Sequence, residues 1–270
     1  MPGDPPVNDP DEPSCARVFN YWLGGTDNTG ADRALADEIE KIDPSVRRMV
    51  WNNRRFAGHS VRWAAHDVAQ FADLGCGIPP GEQTHQAARS VRPAATCAYV
   101  DHDPEVTDYM DAAFDGHADD GVAVVRADIT HAGPLFADPG MRRVIDLDAP
   151  VCLLFALVLH FWQPADARDL MAEYTRLIAP GSHVAISCLR IDDETLWEQL
   201  SEAYTPYPLR NFTREQFAAL FDGLQIEPPG IVPVMRLLPA ELRAGWYDTP
   251  RLRKSLGPAY VVGAVARKPF

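Results

Sequence analysis

The sequence predicts an α/β fold with a doubly wound, mostly parallel sheet, an antiparallel last strand and an N-terminal helical extension. Three observations predict this class. From Ala69 onward, strand-like runs alternate with helical stretches, as in sheets whose parallel strands are joined by helices. Several of these runs are almost continuously apolar, as expected for strands covered by helices on both faces. The chain then closes with a helix, a strand, a loop and a strand, which indicates one antiparallel pair.

Seven strands are predicted. Five belong to the alternating region, at residues 70–74, 96–100, 122–126, 151–156 and 183–188. The last two lie at residues 231–234 and 260–266, separated by a Pro- and Leu-rich excursion at 233–247. Helices are predicted at residues 104–114 and 164–178, and Thr213 with Gln216 forms a capping box that opens another helix through Phe221.

Composition divides the chain into three parts. Residues 1–13 are acidic and proline-rich, so we expect a disordered tail that is neither a signal nor a transit peptide. Residues 14–66 are typical of helices, with breaks at Gly24-Gly25 and Asp43-Pro44, and are expected to form a helical cap or lid. Residues 67–270 are expected to form the α/β domain.

Charge and cysteine content restrict the class of function. The 38 Asp and Glu outnumber the 25 Lys and Arg, and the formal net charge of −13 opposes binding to nucleic acid. No apolar run approaches the roughly 18 residues that a membrane span needs, so we expect a cytoplasmic protein without a membrane partner. The five cysteines form no C-x-x-C pair, which argues against a zinc site or a disulfide framework. We expect no metal, and a small molecule is a better substrate prediction than a protein; the oligomeric state is not predicted.

The strongest local signal is the segment AQFADLGCGIPPG at residues 69–81. A predicted strand runs through Asp73 into Gly75-Cys76-Gly77, and glycines at the carboxyl end of a strand let the backbone turn sharply and approach a ligand. Gly81 comes one residue too late for the G-x-G-x-x-G loop that binds a dinucleotide pyrophosphate. A carboxylate at Asp73 would repel a pyrophosphate, whereas it suits a ligand that carries an ammonium group and a sulfonium.

Two further carboxylates end the next two predicted strands, Asp101 in AYVDHDP and Asp128 in VVRADI. Asp101 lies 24 residues beyond Gly77, close to the spacing at which an acidic residue accepts both hydroxyls of a ribose. Asp128 is expected to accept a hydrogen bond from an adenine amino group, with Ile129 packing on the ring. Each aspartate alone is explained as well by turn formation. Three at successive strand ends beside a G-x-G favour a ligand site.

The order of these motifs resembles a known superfamily. The series DLGCG, VDHDP, RADI and LIAPGSHVAIS, over residues 70–188, looks like the motifs of the seven-stranded class I S-adenosylmethionine-dependent methyltransferases, which have a Rossmann-like fold. A narrower resemblance covers most of residues 15–267. Its segments ARVFNYWLGGTDNTGADRALAD, NNRRFAGHSVRW, GCGIPPGEQTHQAA and LHFW are similar to an actinobacterial S-adenosyl methyltransferase family of largely uncharacterised substrates. The resemblance implies methyl transfer from S-adenosylmethionine to an acceptor that the sequence does not identify.

The resemblance also extends the predicted site. The family's glycine–aspartate–asparagine motif ends at Asn28, and a lid formed by this segment would bring aromatic side chains such as Tyr21 to the sulfonium. Arg54 matches another family motif and would hold the cofactor's carboxylate. The alternatives are a helix packed on the domain and a solvated basic face. The predicted cofactor-binding residues are Asp73, Gly75, Cys76, Gly77, Asp101, His102, Asp128, Ile129, Ala156, Arg54, Tyr21 and Asn28.

His160 is the predicted general base. It follows the apolar run VCLLFALVLH, and an imidazole is suited to accept a proton from a hydroxyl or an amine. The alternative for His160 is a wall of the pocket, and His85 is a second possibility that we expect to pack or cap instead. Two other functions stay open: an NAD(P)-dependent oxidoreductase, and a regulatory protein that binds S-adenosylmethionine without catalysis.

Overall fold

The computed structural model describes residues 9, 11–114, 121–240 and 261–270. Within these residues the chain forms one sheet of eight strands. They are β1 (Gln70–Leu74), β2 (Thr96–Asp101), β3 (Val122–Arg126), β4 (Val151–Ala156), β5 (His183–Leu189), β6 (Gln225–Ile226), β7 (Val232–Pro233) and β8 (Val261–Arg267). Their spatial order is β3–β2–β1–β4–β5–β8–β6, with β7 also paired to β8.

The sheet confirms the predicted fold class. β1 to β5 pair in parallel, and β8 lies antiparallel between β5 and the two short strands. Strand order reverses on either side of β1, which pairs with both β2 and β4. In open α/β sheets ligands bind at such a reversal, outside the carboxyl ends of the strands.

The prediction of seven strands is wrong in one detail. The strand predicted at 231–234 is only the two residues of β7, and a second short strand, β6, precedes it. Pro228 and Pro229 lie between them and have no backbone N–H to donate, so a continuous strand cannot form there. Tyr260, the first residue of the predicted last strand, lies outside the described residues. The same holds for residues 241–247 of the predicted excursion.

Among the described residues, three helices precede the sheet, α1 (Cys15–Trp22), α2 (Gly30–Ile42) and α3 (Val46–Ala64). The helices that follow are α4 (Thr84–Arg89), α5 (Pro104–Phe114), α6 (Ala132–Ala137), α7 (Pro139–Val144), α8 (Pro164–Leu177), α9 (Glu194–Ala203), α10 (Arg214–Ala219) and α11 (Val234–Leu237). The predicted capping box at the start of α10 is present, because the backbone N–H of Gln216 donates to the Thr213 hydroxyl at 3.2 Å. In the part of the chain that the structure describes, no helix is both long and apolar enough to cross a bilayer.

The core consists of two apolar clusters, and the strands contribute alternate residues to each. In β4, for example, Leu153 and Phe155 belong to one cluster, whereas Cys152 and Leu154 belong to the other. This alternation is the two-residue period of a strand covered on both faces. All five cysteines are free thiols, and four are buried as small apolar side chains.

A buried ion pair fixes the first helix to the domain. The Arg17 guanidinium on α1 donates to Asp32 at 2.7 Å and also pairs with Glu105 on α5. The Asp32 carboxylate in addition accepts the backbone N–H groups of Ser14 and Thr29, at 2.8 and 2.6 Å. These contacts hold the chain around residue 14 at a defined place above the sheet.

Candidate active site

A cavity of about 450 Å³ lies at the carboxyl ends of β1, β2, β3 and β4. Its floor is formed by the residues that end or follow these strands, and its roof by residues 12–16 of the N-terminal segment and 205–207 of the loop after α9. The volume falls in the range of roughly 300–1,000 Å³ that is typical of small-molecule sites. In both size and position, at the reversal of strand order beside β1, the cavity fits a small-molecule site.

Ten of the twelve predicted cofactor-binding residues line this cavity. They are Asp73, Gly75, Cys76, Gly77, Asp101, His102, Asp128, Ile129, Ala156 and Arg54. The structure does not bring Tyr21 and Asn28 to it. The Tyr21 hydroxyl instead donates to Asp37 on α2 at 3.3 Å, and its ring lies under the Arg47 guanidinium.

The first carboxylate, Asp73, is buried in the cavity floor. The Thr84 hydroxyl donates to it at 2.5 Å. Burial raises the pKa of Asp73, and the Thr84 hydrogen bond with the charge of Arg54 counteracts this only in part. The carboxylate of Asp73 is thus held by a neutral donor in a site with little access to solvent.

The glycine loop after β1 is bound to the end of β2. The backbone N–H groups of Gly75 and Cys76 donate to the carbonyl of Val100 at 2.8 and 3.1 Å, and that of Gly77 donates to the Asp101 carboxylate at 3.1 Å. Gly77 has a φ of +58°, and a Cβ built on it would meet no atom of the described residues, apart from its two chain neighbours, within 4 Å. A glycine at this position therefore leaves open space in the cavity that a ligand can approach.

A polar chain crosses the cavity from floor to roof. His102 Nδ1 lies 3.3 Å from Asp101 Oδ1, and its Nε2 lies 3.2 Å from the hydroxyl of Tyr207. Burial raises the pKa of Tyr207 to about 12, so this hydroxyl keeps its proton at neutral pH. The three side chains link the end of β2 to the roof.

The third carboxylate, Asp128, follows β3. It accepts the backbone N–H of Thr130 at 2.8 Å. Although burial alone would raise the pKa of Asp128, hydrogen bonds from Thr130 and the charge of the neighbouring His131 lower it. Beside it, Ile129 is buried, and its carbonyl accepts the Tyr174 hydroxyl at 2.8 Å. Asp128 therefore presents an ionised carboxylate at neutral pH.

Several apolar residues of the cavity are not among the predicted cofactor-binding residues. Phe19 and Leu23 come from α1 and the residue after it, and Phe161 and Trp162 follow β4. Leu157 directly after β4 has a φ of +58°, a left-handed conformation that β-carbon-bearing residues seldom adopt. Such strain occurs mainly where the surrounding structure enforces it, often at functional sites.

His160 lies close to this wall but not on the cavity. It is 3% exposed within a short 3₁₀ turn, Leu159–Phe161, and its ring packs against Phe161 at 4.4 Å between centroids. Within the described residues its Nδ1 has no hydrogen-bond partner, and burial lowers the pKa of His160 to about 3. This position does not favour a general base, and that role stays a prediction. His85 packs as expected, with its Nδ1 2.8 Å from the Tyr99 hydroxyl.

The comparisons with known proteins agree with this geometry. The model of the S-adenosyl methyltransferase family matches residues 4–269. The chain belongs to this family. Two solved structures share the fold of this chain over nearly their whole length. No curated protein matches the chain.

The first of these structures is a candidate methyltransferase from Thermobifida fusca YX, 30% identical over 96% of both chains, with a TM-score of 0.84. The second is a DUF574 family protein from Streptomyces avermitilis MA-4680, 28% identical over 97% of this chain and 99% of that one, with a TM-score of 0.87. The N-methyltransferase NodS from Bradyrhizobium japonicum WM9, solved with S-adenosyl-L-homocysteine, is 14% identical over 88% and 98%, with a TM-score of 0.50. NodS shows a similar fold only.

Proposed function

We propose that this chain binds S-adenosylmethionine in the cavity and transfers the methyl group to a small-molecule acceptor. One observation carries the proposal: Asp73, Asp101 and Asp128, from the ends of three adjacent strands, line a single cavity in a member of the S-adenosyl methyltransferase family. NodS, a protein of similar fold, is known with S-adenosyl-L-homocysteine bound.

The residues present fit the chemical groups of this cofactor. In the proposal, Asp73 receives the ammonium group, Arg54 the carboxylate, and Asp101 the ribose hydroxyls. The space beside Gly77, where a Cβ would meet nothing within 4 Å, admits a ligand close to the loop backbone. The remaining predicted contacts surround the adenine and the loop, and are Cys76, Gly75, His102, Asp128, Ile129 and Ala156.

The cofactor, when bound, supplies a methyl group already activated by a positively charged sulfur. The protein's part is then to orient the acceptor and to exclude water. Phe19, Phe161 and Trp162 supply aromatic surface for both tasks, and aromatic faces also attract cationic groups. The proposal requires no proton transfer by His160, which does not line the cavity.

The acceptor is proposed to be a small molecule that is not strongly anionic. The cavity is bounded by a roof at residues 12–16 and 205–207, and its lining includes the carboxylates of Glu12 and Asp103 besides the three of the floor. An anionic acceptor would be repelled by these charges. The overall charge of −13 likewise argues against a nucleic acid as the acceptor.

The test compares S-adenosyl-L-homocysteine with NAD⁺ and NADP⁺ in thermal unfolding and isothermal titration calorimetry. Ligand at 100 times its Kd stabilises the folded state by about 2.7 kcal/mol, and only S-adenosyl-L-homocysteine is expected to do so. Stabilisation by NAD⁺ or NADP⁺ alone would favour the oxidoreductase and contradict the proposal. Methyl transfer is then measured with labelled S-adenosylmethionine over a metabolite panel, and binding without any transfer would favour a non-catalytic regulator.

A further inference from the structure

The glycine–aspartate–asparagine motif at residues 24–28 acts away from the cavity. The Asn28 side chain, predicted to contact the cofactor, donates through Nδ2 to two acceptors at 2.9 Å each, the Asn20 side-chain oxygen and the carbonyl of Gly25. Asn28 is itself held by Arg33, whose guanidinium donates to its side-chain oxygen at 2.9 Å. The motif is thus directed toward Asn20.

Asn20 connects this motif to the glycine loop. It lies on α1 and is completely buried. Its Nδ2 donates to the carbonyl of Ile78 at 2.9 Å, across 58 residues of sequence. Ile78 follows Gly77 directly, and both line the cavity, whereas Asn20 does not. Asn20 therefore reaches the site only through the backbone of the loop.

The motif fixes both the place and the orientation of the Asn20 amide. Its oxygen accepts from Asn28, which leaves the NH₂ group directed at Ile78. Gly25 donates its backbone N–H to the carbonyl of Asn20 at 2.9 Å, and a Cβ on Gly25 would lie only 2.4 Å from the Asn20 side-chain nitrogen. Any residue other than glycine at position 25 would therefore displace the amide.

The second half of the loop needs such an anchor. Its first half is bound to β2 through the N–H groups of Gly75, Cys76 and Gly77. Pro79 and Pro80 follow Ile78 and have no N–H to donate, so hydrogen bonds can hold the backbone of these two residues only at their carbonyls. Ile78 accepts from Asn20, and the carbonyl of Pro79 accepts from the Gln83 side chain at 2.9 Å.

We propose that Asn20 is a positioning residue for cofactor binding, and that Asn28 and Gly25 hold it in place. It keeps the loop at residues 75–79 in the conformation that receives the ligand, so that binding does not have to order the loop. This inference rests on the proposed function, since it concerns the same cavity. It assigns the motif to the geometry of the site and not to direct contact with the ligand.

The experiment compares Asn20→Ala and Asn28→Ala with Val18→Ala in the full-length protein. Val18 is a matched control, because it is fully buried on the same helix, does not line the cavity and takes no part in the hydrogen bonds that link Asn28, Gly25, Asn20 and Ile78. Two quantities are measured at a temperature where all variants are folded. The first is the Kd for S-adenosyl-L-homocysteine, by calorimetry. The second is the rate of hydrogen–deuterium exchange in the ligand-free protein, followed in the peptide that spans residues 75–81.

Loss of one buried hydrogen bond that preorganises the loop is expected to raise the Kd by on the order of ten-fold in Asn20→Ala and about three-fold in Asn28→Ala. Exchange at residues 75–81 should accelerate in both. Val18→Ala is expected to lower the melting temperature while its Kd stays within about two-fold of the parent and loop exchange is unchanged.

Two results would overturn the positioning role. One is an equal rise in Kd for Val18→Ala and Asn20→Ala, which would reduce the effect to general destabilisation. The other is unchanged loop exchange in both asparagine variants. If Asn20→Ala does not fold, Asn28→Ala decides, because its side chain is only half-buried. Failure of the parent protein to bind S-adenosyl-L-homocysteine would instead contradict the proposed function, and the exchange measurement needs no ligand.

Discussion

The aspartates at the two ends of the sheet differ in the groups that hold their carboxylates. At the amino end, Asp67 pairs with Arg267 and lies 3.3 Å from Nε2 of the buried His183. At the carboxyl end, Asp73 is held by the Thr84 hydroxyl and Asp101 by backbone N–H groups. The carboxylate at one end pairs with a cation of the chain. Those at the other accept hydrogen bonds from neutral donors, and the charge of Arg54 offsets the burial of Asp73 only in part.

The difference teaches how a ligand site can be distinguished from a structural ion cluster. Neutral donors fix the position of a carboxylate but do not cancel its charge, and burial makes that charge costly. The raised pKa of Asp73 shows this cost, since burial is its main cause. At the amino end, Arg267 neutralises the charge of Asp67. A cationic ligand would neutralise the carboxylates of the cavity in the same way.

The largest expected effect is a difference in ligand affinity between two Asp→Asn variants, one at each end of the sheet. Asp101→Asn removes a charged acceptor from the proposed ribose site and should raise the Kd for S-adenosyl-L-homocysteine by on the order of 100-fold, since hydrogen bonds to charged groups contribute about 1.5–3 kcal/mol each. Asp67→Asn should leave the Kd within about two-fold. Calorimetry on both variants measures the difference. Equal Kd values for the two variants would remove the distinction between the ends.

The second prediction concerns stability without ligand, where the two ends should respond with opposite sign. A carboxylate whose folded pKa is raised destabilises the folded state as pH rises above its unfolded value, so Asp73 lowers stability at neutral pH. Asp73→Asn should therefore raise the free energy of unfolding by about 1 kcal/mol, roughly 2–4 °C in melting temperature, while weakening ligand binding. Asp67→Asn should lower it by up to about 1 kcal/mol, because Arg267 loses its ion pair with Asp67.

Thermal unfolding at pH 7 in the absence of ligand measures both shifts. A fall in melting temperature for Asp73→Asn would mean that Thr84 and Arg54 already offset the burial of the carboxylate. The comparison would then lose its energetic basis, although the geometry of the two ends would stand. Asp73→Ala is not a substitute, since it also removes the acceptor of the Thr84 hydroxyl.

Much of the fold and of the cavity floor follows from the sequence, for a physical reason. Parallel strands bring their carboxyl ends to one edge, so the residues after each apolar run must lie near one another. Asp73, Asp101 and Asp128 were placed correctly on the cavity by that rule. Their roles toward the cofactor stay predictions. The number of strands was missed because β6 and β7 have two residues each and carry no periodic pattern.

In the N-terminal segment, helical spacing decides which residues meet the cavity. The aromatic ring of Tyr21 predicts a cofactor contact, yet the face of α1 that lines the cavity is made by other residues. Cys15, Phe19 and Leu23 follow one another at four-residue intervals and line the cavity, whereas Tyr21 lies on another face beside Asp37. That four-residue spacing is visible in the sequence, and it does not include Tyr21.

The roof could not be predicted in this way. Residues 205–207 reach the cavity because the Tyr204 hydroxyl donates to the thiol of Cys15 at 2.9 Å, a contact across 189 residues of sequence. Phe161 and Trp162 reach it because the chain turns after β4, where Leu157 adopts its left-handed conformation. Both depend on long-range packing, and a leucine gives no local signal for such a turn.

The smallest expected effect separates two buried histidines, one near each end of the sheet. Burial lowers the pKa of both, to about 3 for His160 and to about 4 for His183, whose nearby Arg267 lowers it further while Asp67 raises it. A histidine with a lowered folded pKa destabilises the folded state as pH falls below its unfolded value near 6.5, because the unfolded chain then binds a proton that the folded chain does not. For His160 the loss between pH 7.5 and pH 6 is about 0.8 kcal/mol.

His160→Leu should therefore flatten the pH dependence of the free energy of unfolding by about that amount. Urea unfolding at pH 6 and at pH 7.5 measures the change. If instead the imidazole of His160 titrated near pH 6.5 by NMR, the site would be open to water and a role as general base would regain support. If the imidazole stays neutral and buried, it adds no positive charge beside the cavity. The carboxylates of Asp73 and Asp101 would then attract a cationic ligand to this end of the sheet without opposition from His160.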